Sequence, residues 1–426
     1  MEYVSTSLQA HLMLGRGVFL GGDIYRLPSP VLLWVAERGK PSNVTPPGTT
    51  CRDRRPIRRG WLTRLRLLSP PNFLLYVNVP RSMEYFVTGA TGFVGSHVVE
   101  KLVEQKDEVI ALTRDRSNAS HLPDEATIIE GDITEKESIR DGMTGVDGVF
   151  HIAGWYRIGP GPRRAGHAER INVDGTRTVL ELVDELDIPK AVYTSTIAVN
   201  SDTDGEVVDE SYRYDGNHIS VYDRTKWQAH YEVAKPMADE GVPVVIIQPG
   251  IVYGPGDTSD LRPMWRDYLQ EDLPVIPRDV DACWDHVEDT AQAHLLAMEH
   301  GKEGEEYIVC GEQRTFVEMF ELAEAITGVP APRSVSPLLF RALAPAMKVA
   351  ERFVRPPEGF ESEFLYRMGG TTWLGDNTKA KRELGLEHRP IEEGLREYLE
   401  WELDQLEAEG ETSKEPTQEA TPDKAV

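Results

Sequence analysis

A tyrosine and a lysine are spaced in the sequence so that together they could move a proton. Tyr222 and Lys226 are four residues apart, which places both side chains on one face of a helix. The phenol of a free tyrosine has a pKa of about 10, and a neighbouring ammonium group lowers it by stabilising the phenolate. Such a pair can donate or remove a proton while a hydride moves to or from a nicotinamide ring. This spacing is common on helix surfaces, so it indicates a catalytic pair only where the surrounding elements fit one.

Two hydroxyl side chains form a second candidate group, in the segment Tyr193-Thr-Ser-Thr-Ile-Ala198. This segment contains the end of a predicted strand, Ala191–Ser195. A hydroxyl at that end could point over a nicotinamide ring and bind a substrate carbonyl or alcohol. Ser195 and Thr196 both fit this role, and either could instead cap the end of the strand.

A glycine-rich segment, Thr88-Gly-Ala-Thr-Gly-Phe-Val-Gly95, indicates a site for a dinucleotide. It lies between a predicted strand, Glu84–Thr88, and a predicted helix, Phe93–Glu104. Its three glycines would allow a tight turn, close approach of the backbone to a pyrophosphate, and close packing of the helix on the strand. The phosphates would then face the N-terminus of the helix. Glycines also mark ordinary turns, but the strand–turn–helix context favours the cofactor interpretation.

The end of the second predicted strand, Glu108–Thr113, bears on the choice between NAD and NADP. An acidic residue at this end would bind the ribose hydroxyls of NAD. Here Arg114 follows the strand directly and Arg116 is close, so a charge-assisted pair could hold the 2′-phosphate of NADP. Asp115 could still serve NAD, and Arg114 could be a solvated loop residue. The sequence therefore favours NADP and leaves NAD open.

The elements that must position these residues alternate between strand and helix from Met83 onward. This alternation predicts an α/β fold with a doubly wound parallel sheet of the Rossmann type. We expect residues 83–250 to form the dinucleotide-binding domain, to which residues 286–311 return. Residues 251–285 and 312–403 have a more helical pattern, rich in proline and aromatic residues, and predict a smaller substrate-binding lobe. The other predicted elements are the strands Thr127–Glu130, Gly148–Ala153, Val244–Gln248 and Tyr307–Cys310, and the helices Asn172–Leu186, Val221–Ala238 and Val287–Glu299.

The composition limits the classes of protein that fit this chain. It has 426 residues, of which 40% are hydrophobic and 27% charged, as expected of a globular protein. The net charge of −25 argues against binding to nucleic acid, and no apolar run of about 18 residues is present to span a membrane. Three cysteines without a CxxC spacing predict neither a disulfide framework nor a metal site. We therefore expect a cytoplasmic protein with a small-molecule substrate, and the acidic excess is typical of proteins from high-salt environments.

The two ends of the chain differ from the rest. Residues 1–82 hold 12 Lys/Arg and 4 Asp/Glu, so the remaining chain carries a net charge of −33. Prolines are scattered through this segment, and neither helical nor strand periodicity persists in it. We interpret it as a disordered or non-native extension with Met83 as the true first residue, and a targeting or nucleic-acid-binding arm is the alternative. Residues 404–426 are predicted to form an acidic disordered tail.

The glycine motif, the strand-end hydroxyl and the Tyr222/Lys226 pair occur in the order and spacing of the extended short-chain dehydrogenase/reductases. From about Met83 to Glu402 the chain resembles this group, the NAD-dependent epimerase/dehydratase family. The resemblance is nearest to the dihydroflavonol-reductase-like and hopanoid-associated sugar-epimerase-like proteins, whose substrates are diverse. Further matching segments are Gly131-Asp-Ile133, Phe150-His-Ile-Ala-Gly154, Gln248-Pro-Gly-Ile-Val-Tyr-Gly-Pro-Gly256 and His286-Val-Glu-Asp289.

The resemblance implies a role for each matching residue. Tyr222 is expected to be the catalytic acid/base, Lys226 to bind the nicotinamide ribose and tune Tyr222, and Thr196, rather than its neighbour Ser195, to be the catalytic hydroxyl. The residues expected to bind NADP or NAD are Gly89, Thr91, Gly92, Phe93, Val94, Gly95, Arg114, Asp132, Ile133, Ala153, Tyr222, Lys226, Pro249, Ile251 and Val252.

The resemblance also implies a homodimer, because family members pair the helices that match Asn172–Leu186 and Val221–Ala238 into a four-helix bundle. Each helix then needs a second apolar stripe beyond the one that faces the sheet. Val179, Leu182 and Val183 could supply such a stripe.

One segment departs from the family pattern. Nucleotide-sugar enzymes carry an arginine for the diphosphate just before the H-V-D-D motif, whereas this chain has Ala282-Cys-Trp284 there and Arg278 four residues too early. Without that cation, charge-assisted hydrogen bonds to a diphosphate are lost, which disfavours a nucleotide sugar. Trp155, Tyr156 and Trp284 would instead suit an apolar or ring-shaped substrate, or they could pack between the two lobes.

Three functions fit these features. The leading one is an NAD(P)-dependent oxidoreductase that moves a hydride between nicotinamide and a carbonyl or alcohol, with Tyr222 as acid/base. The first alternative is a nucleotide-sugar 4-epimerase or dehydratase, in which NAD is regenerated in each turnover. The second is a dinucleotide sensor without catalysis, against which the intact Thr196, Tyr222 and Lys226 argue.

Overall fold

The computed structural model describes residues 82–157, 162–351, 353–354, 356 and 361–412, together with four short strands nearer the N-terminus. The chain divides into two units, Met1–Arg81 and Ser82–Val426. The rest of the predicted extension, and residues 413–426 of the predicted tail, lie outside the described residues. In the first unit, β1 (Val18–Leu20) pairs antiparallel with β2 (Asp23–Tyr25), and β3 (Leu33–Ala36) with β4 (Leu74–Val77).

A seven-stranded sheet lies at the centre of the second unit. Its strands, numbered in chain order, are β5 (Glu84–Thr88), β6 (Glu108–Thr113), β7 (Thr127–Glu130), β8 (Gly148–His151), β9 (Ala191–Thr194), β10 (Val244–Gln248) and β14 (Glu306–Ile308). They are arranged in the order β14-β10-β9-β8-β5-β6-β7, and every neighbouring pair is parallel. The predicted strands are confirmed, and the last of them begins one residue earlier than expected and returns to this sheet.

Helices cover both faces of the sheet, which confirms the doubly wound α/β arrangement. Strands such as β10, with the run Val-Val-Ile-Ile, are fully buried because both of their faces meet helices. On one face pack α1 (Phe93–Glu104), α8 (Val287–His300) and α12 (Thr378–Leu384). On the other pack α2 (Lys136–Met143), α4 (Thr176–Glu185) and the helix that contains α5 (Val221–Gln228) and α6 (Lys235–Asp239).

Two long helices on the second face are each interrupted by a π-helical turn. The first begins as α3 (Pro162–Glu169), passes through the turn Arg170–Gly175 and continues as α4, so it starts ten residues before the predicted Asn172. The second joins α5 to α6 through the turn Ala229–Ala234. A wider turn suits this second helix because Pro236 lacks an amide N–H and would clash in a regular α-helix.

The apolar stripe proposed for dimer contacts is not exposed. Val179, Leu182 and Val183 are each fully buried and pack in the core between α4 and the sheet. They form the stripe that faces the sheet, and a second stripe for a partner would have to come from other residues. The homodimer therefore stays a prediction without the support first assigned to it.

The smaller lobe contains more strand than its sequence predicted. One small sheet joins β11 (Ile251–Tyr253), β13 (Asp281–His286), β15 (Glu312–Thr315) and β17 (Thr372–Trp373), and a second joins β12 (Val275–Pro277) to β16 (Arg333–Val335). The helices of this lobe are α7 (Arg262–Leu269), α9 (Phe316–Thr327), α10 (Pro337–Ala350), α11 (Ser362–Arg367) and α13 (Ile391–Thr412). Helix α13 continues past Leu403 into the predicted tail, where Glu409 pairs with Arg266 at 2.5 Å. None of the described helices has the length and hydropathy that a membrane span needs.

Candidate active site

A cavity of 670 Å³ opens at the carboxyl ends of the parallel strands and collects most of the residues singled out in the sequence. This edge of an open α/β sheet is where ligands ordinarily bind. Of the residues assigned a catalytic, cofactor or substrate role, Trp284 alone does not line the cavity, and the alternative candidates Asp115 and Arg116 do not line it either. Those that line it are Gly89, Thr91, Gly92, Phe93, Val94, Gly95, Arg114, Asp132, Ile133, Ala153, Trp155, Tyr156, Thr196, Tyr222, Lys226, Pro249, Ile251 and Val252.

The glycine turn between β5 and α1 has no room for side chains. Gly89 has a φ of +71°, and a Cβ there would lie 2.6 Å from the amide nitrogen of Ala153. A Cβ on Gly95 would collide with the backbone of Gly89, because the first turn of α1 packs directly on the strand end. The turn is thus compact enough for the backbone to approach a pyrophosphate closely.

The start of α1 is open to an anion. Gly92 occupies the cap position, no side chain accepts a hydrogen bond from the first amide groups, and the first turn contains no acidic residue. The free N–H groups and the positive end of the helix dipole therefore face the cavity. These residues fit the pyrophosphate of a dinucleotide.

The adenosine end of the cavity carries both an arginine and an acid. Arg114 and Asp132 line it, whereas Asp115 accepts hydrogen bonds from the amide and hydroxyl of Ser117 in the following turn. Partial burial opposes ionisation of Asp132, but hydrogen bonds from Thr134 and the charges of Arg114 and Arg170 hold its pKa below the usual range. Of the two candidates that the sequence left open, Arg114 is the one at the cavity.

Buried polar groups fix the walls around the nicotinamide end. On β8, His151 bonds to Thr88 at 2.8 Å, and the amide of Ala153 donates to the same threonine hydroxyl at 3.2 Å. On the opposite wall the carboxylate of Asp285 accepts from the amide of Gly250 at 2.6 Å and from the amide of Gly311. Burial raises the pKa of Asp285 to about 8.

Tyr222 and Thr196 meet inside the cavity. Tyr222 is the second residue of α5, which Ser220 caps by accepting from the amide of Asp223 at 3.0 Å. Thr196 follows β9 and lines the same cavity as Tyr222. Burial raises the pKa of the Tyr222 phenol to about 12, although the Thr196 hydroxyl and a nearby arginine charge oppose the rise. The direction is opposite to the lowering expected from Lys226.

The structure separates the two candidate hydroxyls. Ser195 is 3% exposed, and its hydroxyl bonds to Nδ1 of His230 at 2.8 Å. The other nitrogen of His230 bonds to Glu306 at 2.9 Å, so Ser195 belongs to a buried network on the helix side of β9. Both residues line the cavity, but the Ser195 hydroxyl is engaged by His230, so the catalytic role implied for Thr196 stays a prediction.

Lys226 lies one turn after Tyr222 and is 4% exposed. Its ammonium donates to the carbonyl of Thr194 at 2.8 Å and to the hydroxyl of Tyr193 at 3.1 Å. Burial lowers the pKa of Lys226 to about 7. An ammonium has three N–H donors, so one remains to bind a ribose hydroxyl.

The three aromatic residues proposed for the substrate fall into two groups. Trp155 and Tyr156 line the cavity, and the ring of Tyr156 meets that of Tyr222 edge-on with centroids 4.9 Å apart. Trp284 is instead 2% exposed on β13, where it packs against Phe316 and donates to the carbonyl of Arg314. The substrate role proposed for Trp284 is therefore corrected to packing in the core of the smaller lobe.

Arg367 is a cavity residue that the sequence did not single out. It ends α11, is 7% exposed, and its guanidinium lies 4.9 Å above the ring of Trp373. Its Nη2 is 3.3 Å from a carboxylate oxygen of Asp223. The one signal in the sequence is a charged residue inside the apolar run from Phe364 to Met368, which predicts a buried cation with a partner.

Among the described residues, His97, Glu100 and Glu288 could bring three ligand atoms to one metal ion. Their atoms do not line the cavity, and the ammonium of Lys101 already lies 2.5 Å from Glu288. We assign no metal to this group.

Curated proteins with similar sequences span most of this chain. One from Synechocystis sp., named for dihydroflavonol 4-reductase, is 32% identical over 339 residues, 74% of this chain and 94% of the relative. Sterol demethylase protein B from Methylococcus capsulatus is 30% identical over 315 residues, 71% of this chain and 93% of the relative. A UDP-glucose 4-epimerase from Streptomyces lividans is 28% identical over 294 residues, 63% of this chain and 88% of the relative.

The fold and the family agree with the site. The crystal structure of gox2253 superposes with a TM-score of 0.66 at 28% identity, covering 76% of this chain and 99% of that chain. The model of the NAD dependent epimerase/dehydratase family matches residues 85–310, which contain the glycine turn, Thr196, Tyr222 and Lys226. The chain belongs to the NAD-dependent epimerase/dehydratase family, the extended short-chain dehydrogenase/reductases, whose members are NAD-dependent enzymes.

Proposed function

We propose that this protein is an NAD(P)-dependent oxidoreductase that moves a hydride between nicotinamide and the carbonyl or alcohol of a separate substrate. The observation that carries the proposal is that Thr196, Tyr222 and Lys226 line the same cavity as the glycine turn. A phenol and a hydroxyl at this place can bind a substrate oxygen and transfer its proton. Nicotinamide supplies or accepts the hydride when the cofactor is bound.

Each of the three polar side chains has a distinct role. Tyr222 donates the proton to the carbonyl oxygen during reduction, and its pKa of about 12 keeps the phenol protonated at neutral pH. Thr196 holds the phenol and the substrate oxygen in one geometry. Lys226, fixed by Thr194 and Tyr193, presents its remaining N–H to the ribose.

We propose NADP as the preferred cofactor, because Arg114 lines the adenosine end of the cavity. Its guanidinium can pair with a 2′-phosphate through two parallel hydrogen bonds. Asp115 is engaged by Ser117, which leaves it poorly placed to bind the ribose of NAD. The carboxylate of Asp132, also in the cavity, is left to contact the adenine side.

The proposed substrate is apolar. A groove of 2330 Å³ continues from the cavity, with which it shares Arg157, Leu261 and Met368. Its lining combines charged side chains, such as Arg224, Asp267 and Arg341, with a larger set of apolar ones, which includes Leu273, Ile276, Leu339, Phe340, Leu343 and Phe364. Relatives named for sterol and for farnesylated quinoline substrates support this class. The substrate would place its carbonyl at Tyr222 and its apolar body along the groove.

A nucleotide-sugar epimerase is the second candidate, because the relatives include a UDP-glucose 4-epimerase. Arg278, the arginine nearest to the family's diphosphate clamp in sequence, is exposed and does not line the cavity. Arg367 does line it, but it is paired with Asp223, which offsets its charge. The diphosphate of a nucleotide sugar would therefore meet little net positive charge beside Arg367, which disfavours this candidate.

Net consumption of NADPH distinguishes the two candidates. The purified protein is mixed with NADPH and a panel of apolar ketones and aldehydes, and absorbance of the reduced cofactor is followed. We expect stoichiometric loss of NADPH with at least one member of the panel. A second sample receives UDP-glucose and NAD, because an epimerase first oxidises the sugar alcohol and then returns the hydride. Conversion of UDP-glucose without net formation of NADH, together with no loss of NADPH with any member of the panel, would contradict the proposed oxidoreductase.

A further inference from the structure

Helix α10 (Pro337–Ala350) carries a cluster of exposed apolar side chains. The large apolar residues that are exposed in this helix or just after it are Leu338, Leu339, Leu343, Val349, Phe353 and Val354. Across the rest of the described chain, the other exposed large apolar residues are Met83, Val207 and Val275. Single exposed apolar residues are ordinary on a protein surface, whereas a cluster marks a surface that makes contacts. We therefore expect α10 to contact something beyond the described residues.

An outer stripe of α10 lies outside the groove of 2330 Å³. Leu339 and Leu343 line this groove, so a ligand bound there could cover them. Five other exposed residues of the helix do not line it. At helical spacing they form one continuous stripe, which consists of Leu338, Ala342, Pro345, Ala346 and Val349. A ligand in the groove would leave this outer stripe uncovered.

Positive charge borders the outer stripe. Arg341 and Lys348 lie on one side of α10, both are exposed, and neither forms an ion pair with another described residue. Glu351, at the end of the helix, instead accepts hydrogen bonds from the amide and hydroxyl of Ser362 at 2.6 and 2.9 Å, so it faces α11. Residues 337–356 hold four Lys/Arg and one Asp/Glu, in a chain whose net charge is −25. The outer stripe is thus a cationic and apolar surface on an acidic protein.

Charge and composition argue against a covering from this chain. Residues 1–82 hold 12 Lys/Arg and 4 Asp/Glu, so their net charge has the same sign as Arg341 and Lys348. Residues 413–426 contain a single large apolar side chain, Val426. A second copy related by twofold symmetry would bring the same cations of both copies together. The described residues offer no second apolar cluster of this size for a head-to-tail contact.

The chemistry of the outer stripe also differs from that of a specific protein interface. Such interfaces form about one hydrogen bond per 100–200 Å² and rely on aromatic and arginine anchors. No side chain of the outer stripe can donate or accept a hydrogen bond, because all five are aliphatic. Contact with hydrocarbon needs no directional bond. The stripe therefore fits a lipid surface better than a folded partner.

We propose that α10 binds in the plane of an anionic lipid bilayer. The outer stripe lies among the upper parts of the acyl chains, and Arg341 and Lys348 pair with the headgroup phosphates. The helix rests on the bilayer and does not cross it, in keeping with the absence of a spanning helix among the described residues. The proposal does not depend on the proposed function.

Sedimentation with lipid vesicles tests the proposal. The full-length protein is mixed with vesicles of phosphatidylcholine alone, or of phosphatidylcholine and phosphatidylglycerol in equal parts. At about 0.15 M salt the Debye length of about 8 Å screens the acidic residues that lie farther from the bilayer. Each cation at an anionic surface strengthens binding roughly fivefold. We therefore expect the affinity for the mixed vesicles to exceed that for the neutral vesicles at least about tenfold.

Two double variants assign vesicle binding to α10. Leu338→Gln with Val349→Gln should lower the affinity for both kinds of vesicle at least about tenfold, because less apolar surface is buried. Both residues are exposed and lie outside the groove, so the melting temperature without vesicles should stay the same. The control is Val207→Gln, which changes an exposed valine outside α10 and should leave binding unchanged. Arg341→Gln with Lys348→Gln should remove the preference for mixed vesicles, and it keeps the test decisive if the first variant does not fold.

Three outcomes would overturn the proposal. The first is a wild type that does not sediment with the mixed vesicles, or that binds them no more tightly than both double variants do. The second is binding that both double variants retain and that removal of residues 1–82 abolishes, which would assign the lipid contact to that segment. The third is light scattering without vesicles that shows a dimer in the wild type and a monomer in Leu338→Gln with Val349→Gln, which would assign the outer stripe to a second copy.

Discussion

Burial determines the protonation states of the two titratable side chains at the centre of the cavity. The pKa of Tyr222 is raised to about 12 and that of Lys226 is lowered to about 7, because the charged form of each loses hydration. Near neutral pH, Tyr222 is therefore a phenol that can donate a proton. This state suits reduction of a carbonyl, whereas oxidation of an alcohol would need the phenolate. We accordingly expect reduction to be the faster direction at neutral pH.

The buried charge of Lys226 makes the stability of the fold depend on pH. Below pH 7 the lysine is charged in both the folded and the unfolded protein, so the full cost of burying the charge is present. Between pH 7 and 10.5, the ordinary pKa of a lysine, the folded protein loses the proton first, and the cost of burying the charge declines. Lys226→Met should therefore raise the melting temperature, relative to wild type, more at about pH 6 than at about pH 9.

The control for this prediction is Lys381→Met, which removes an exposed lysine from α12. Its effect on the melting temperature should be the same at both pH values. Lys226→Met also removes the hydrogen bonds to Tyr193 and Thr194. The loss of these bonds lowers the melting temperature equally at both pH values, so it cancels when the two are compared. An effect of Lys226→Met that is equal at both values would show that the folded protein keeps the lysine charged.

Arg114 should determine the cofactor preference. Arg114→Asp removes a cation from the adenosine end and offers an acceptor to the ribose hydroxyls, so affinity should shift from NADP toward NAD. Titration of both cofactors by fluorescence measures the ratio of dissociation constants, and we expect a change of at least about tenfold. Arg116→Asp is the matched control, because Arg116 is 62% exposed and does not line the cavity. An unchanged ratio in Arg114→Asp would place Arg114 outside the phosphate site.

At the scale of elements, the packing of α1 on β5 is what shapes the phosphate site. Gly95→Ala would force the first turn of α1 away from Gly89, because the new Cβ collides with backbone atoms that cannot rotate aside. We expect NADP affinity to fall at least about tenfold and the melting temperature to drop. Gly166→Ala, in the exposed part of α3 with no atom within 4 Å of the new Cβ, is the control. Gly166→Ala should stabilise the protein by about 0.5–1 kcal/mol or leave its stability unchanged. Equal effects of the two substitutions on NADP affinity and melting temperature would contradict the close packing of α1 on β5.

Sequence patterns predicted the parts of the site that depend on spacing within one element. The glycine turn and the Tyr222/Lys226 pair follow from short segments whose backbone geometry is local. Arg367 and Trp284 could not be placed in this way, because their surroundings come from segments far away in the chain. The pKa of Tyr222 was also expected in the wrong direction, since the depth of burial depends on how the smaller lobe packs against the sheet. The strands of that lobe were missed because its short apolar segments fit helix and strand patterns equally.

At the scale of the whole molecule, the cavity is assembled from both parts of the second unit. The sheet and its helices supply the glycine turn, Thr196, Tyr222 and Lys226, and the smaller lobe supplies Arg367. An ion pair joins the two parts: Arg389, just before α13, lies 3.1 Å from Asp289 on α8. We therefore expect the substrate to contact the smaller lobe, as the sequence predicted.

Removal of residues 1–82 should leave folding and cofactor binding intact. All strands of the central sheet and all residues that line the cavity come after Met83. The truncated protein should retain the melting temperature and the NADP affinity of the full chain, measured by thermal unfolding and by titration. An insoluble product, or one without NADP affinity, would show that the segment is part of the fold.

The most direct test of the proposed chemistry is the turnover of Tyr222→Phe on a ketone that the wild type reduces. This change keeps the ring against Tyr156 and removes the hydroxyl alone, so NADP should bind with unchanged affinity while kcat falls about 10²–10⁴-fold. Tyr231→Phe on the same long helix is the control, because its hydroxyl donates to the carbonyl of Tyr212 and its turnover should stay near that of the wild type. Near wild-type turnover in Tyr222→Phe would contradict its role as the acid/base and the mechanism built on it.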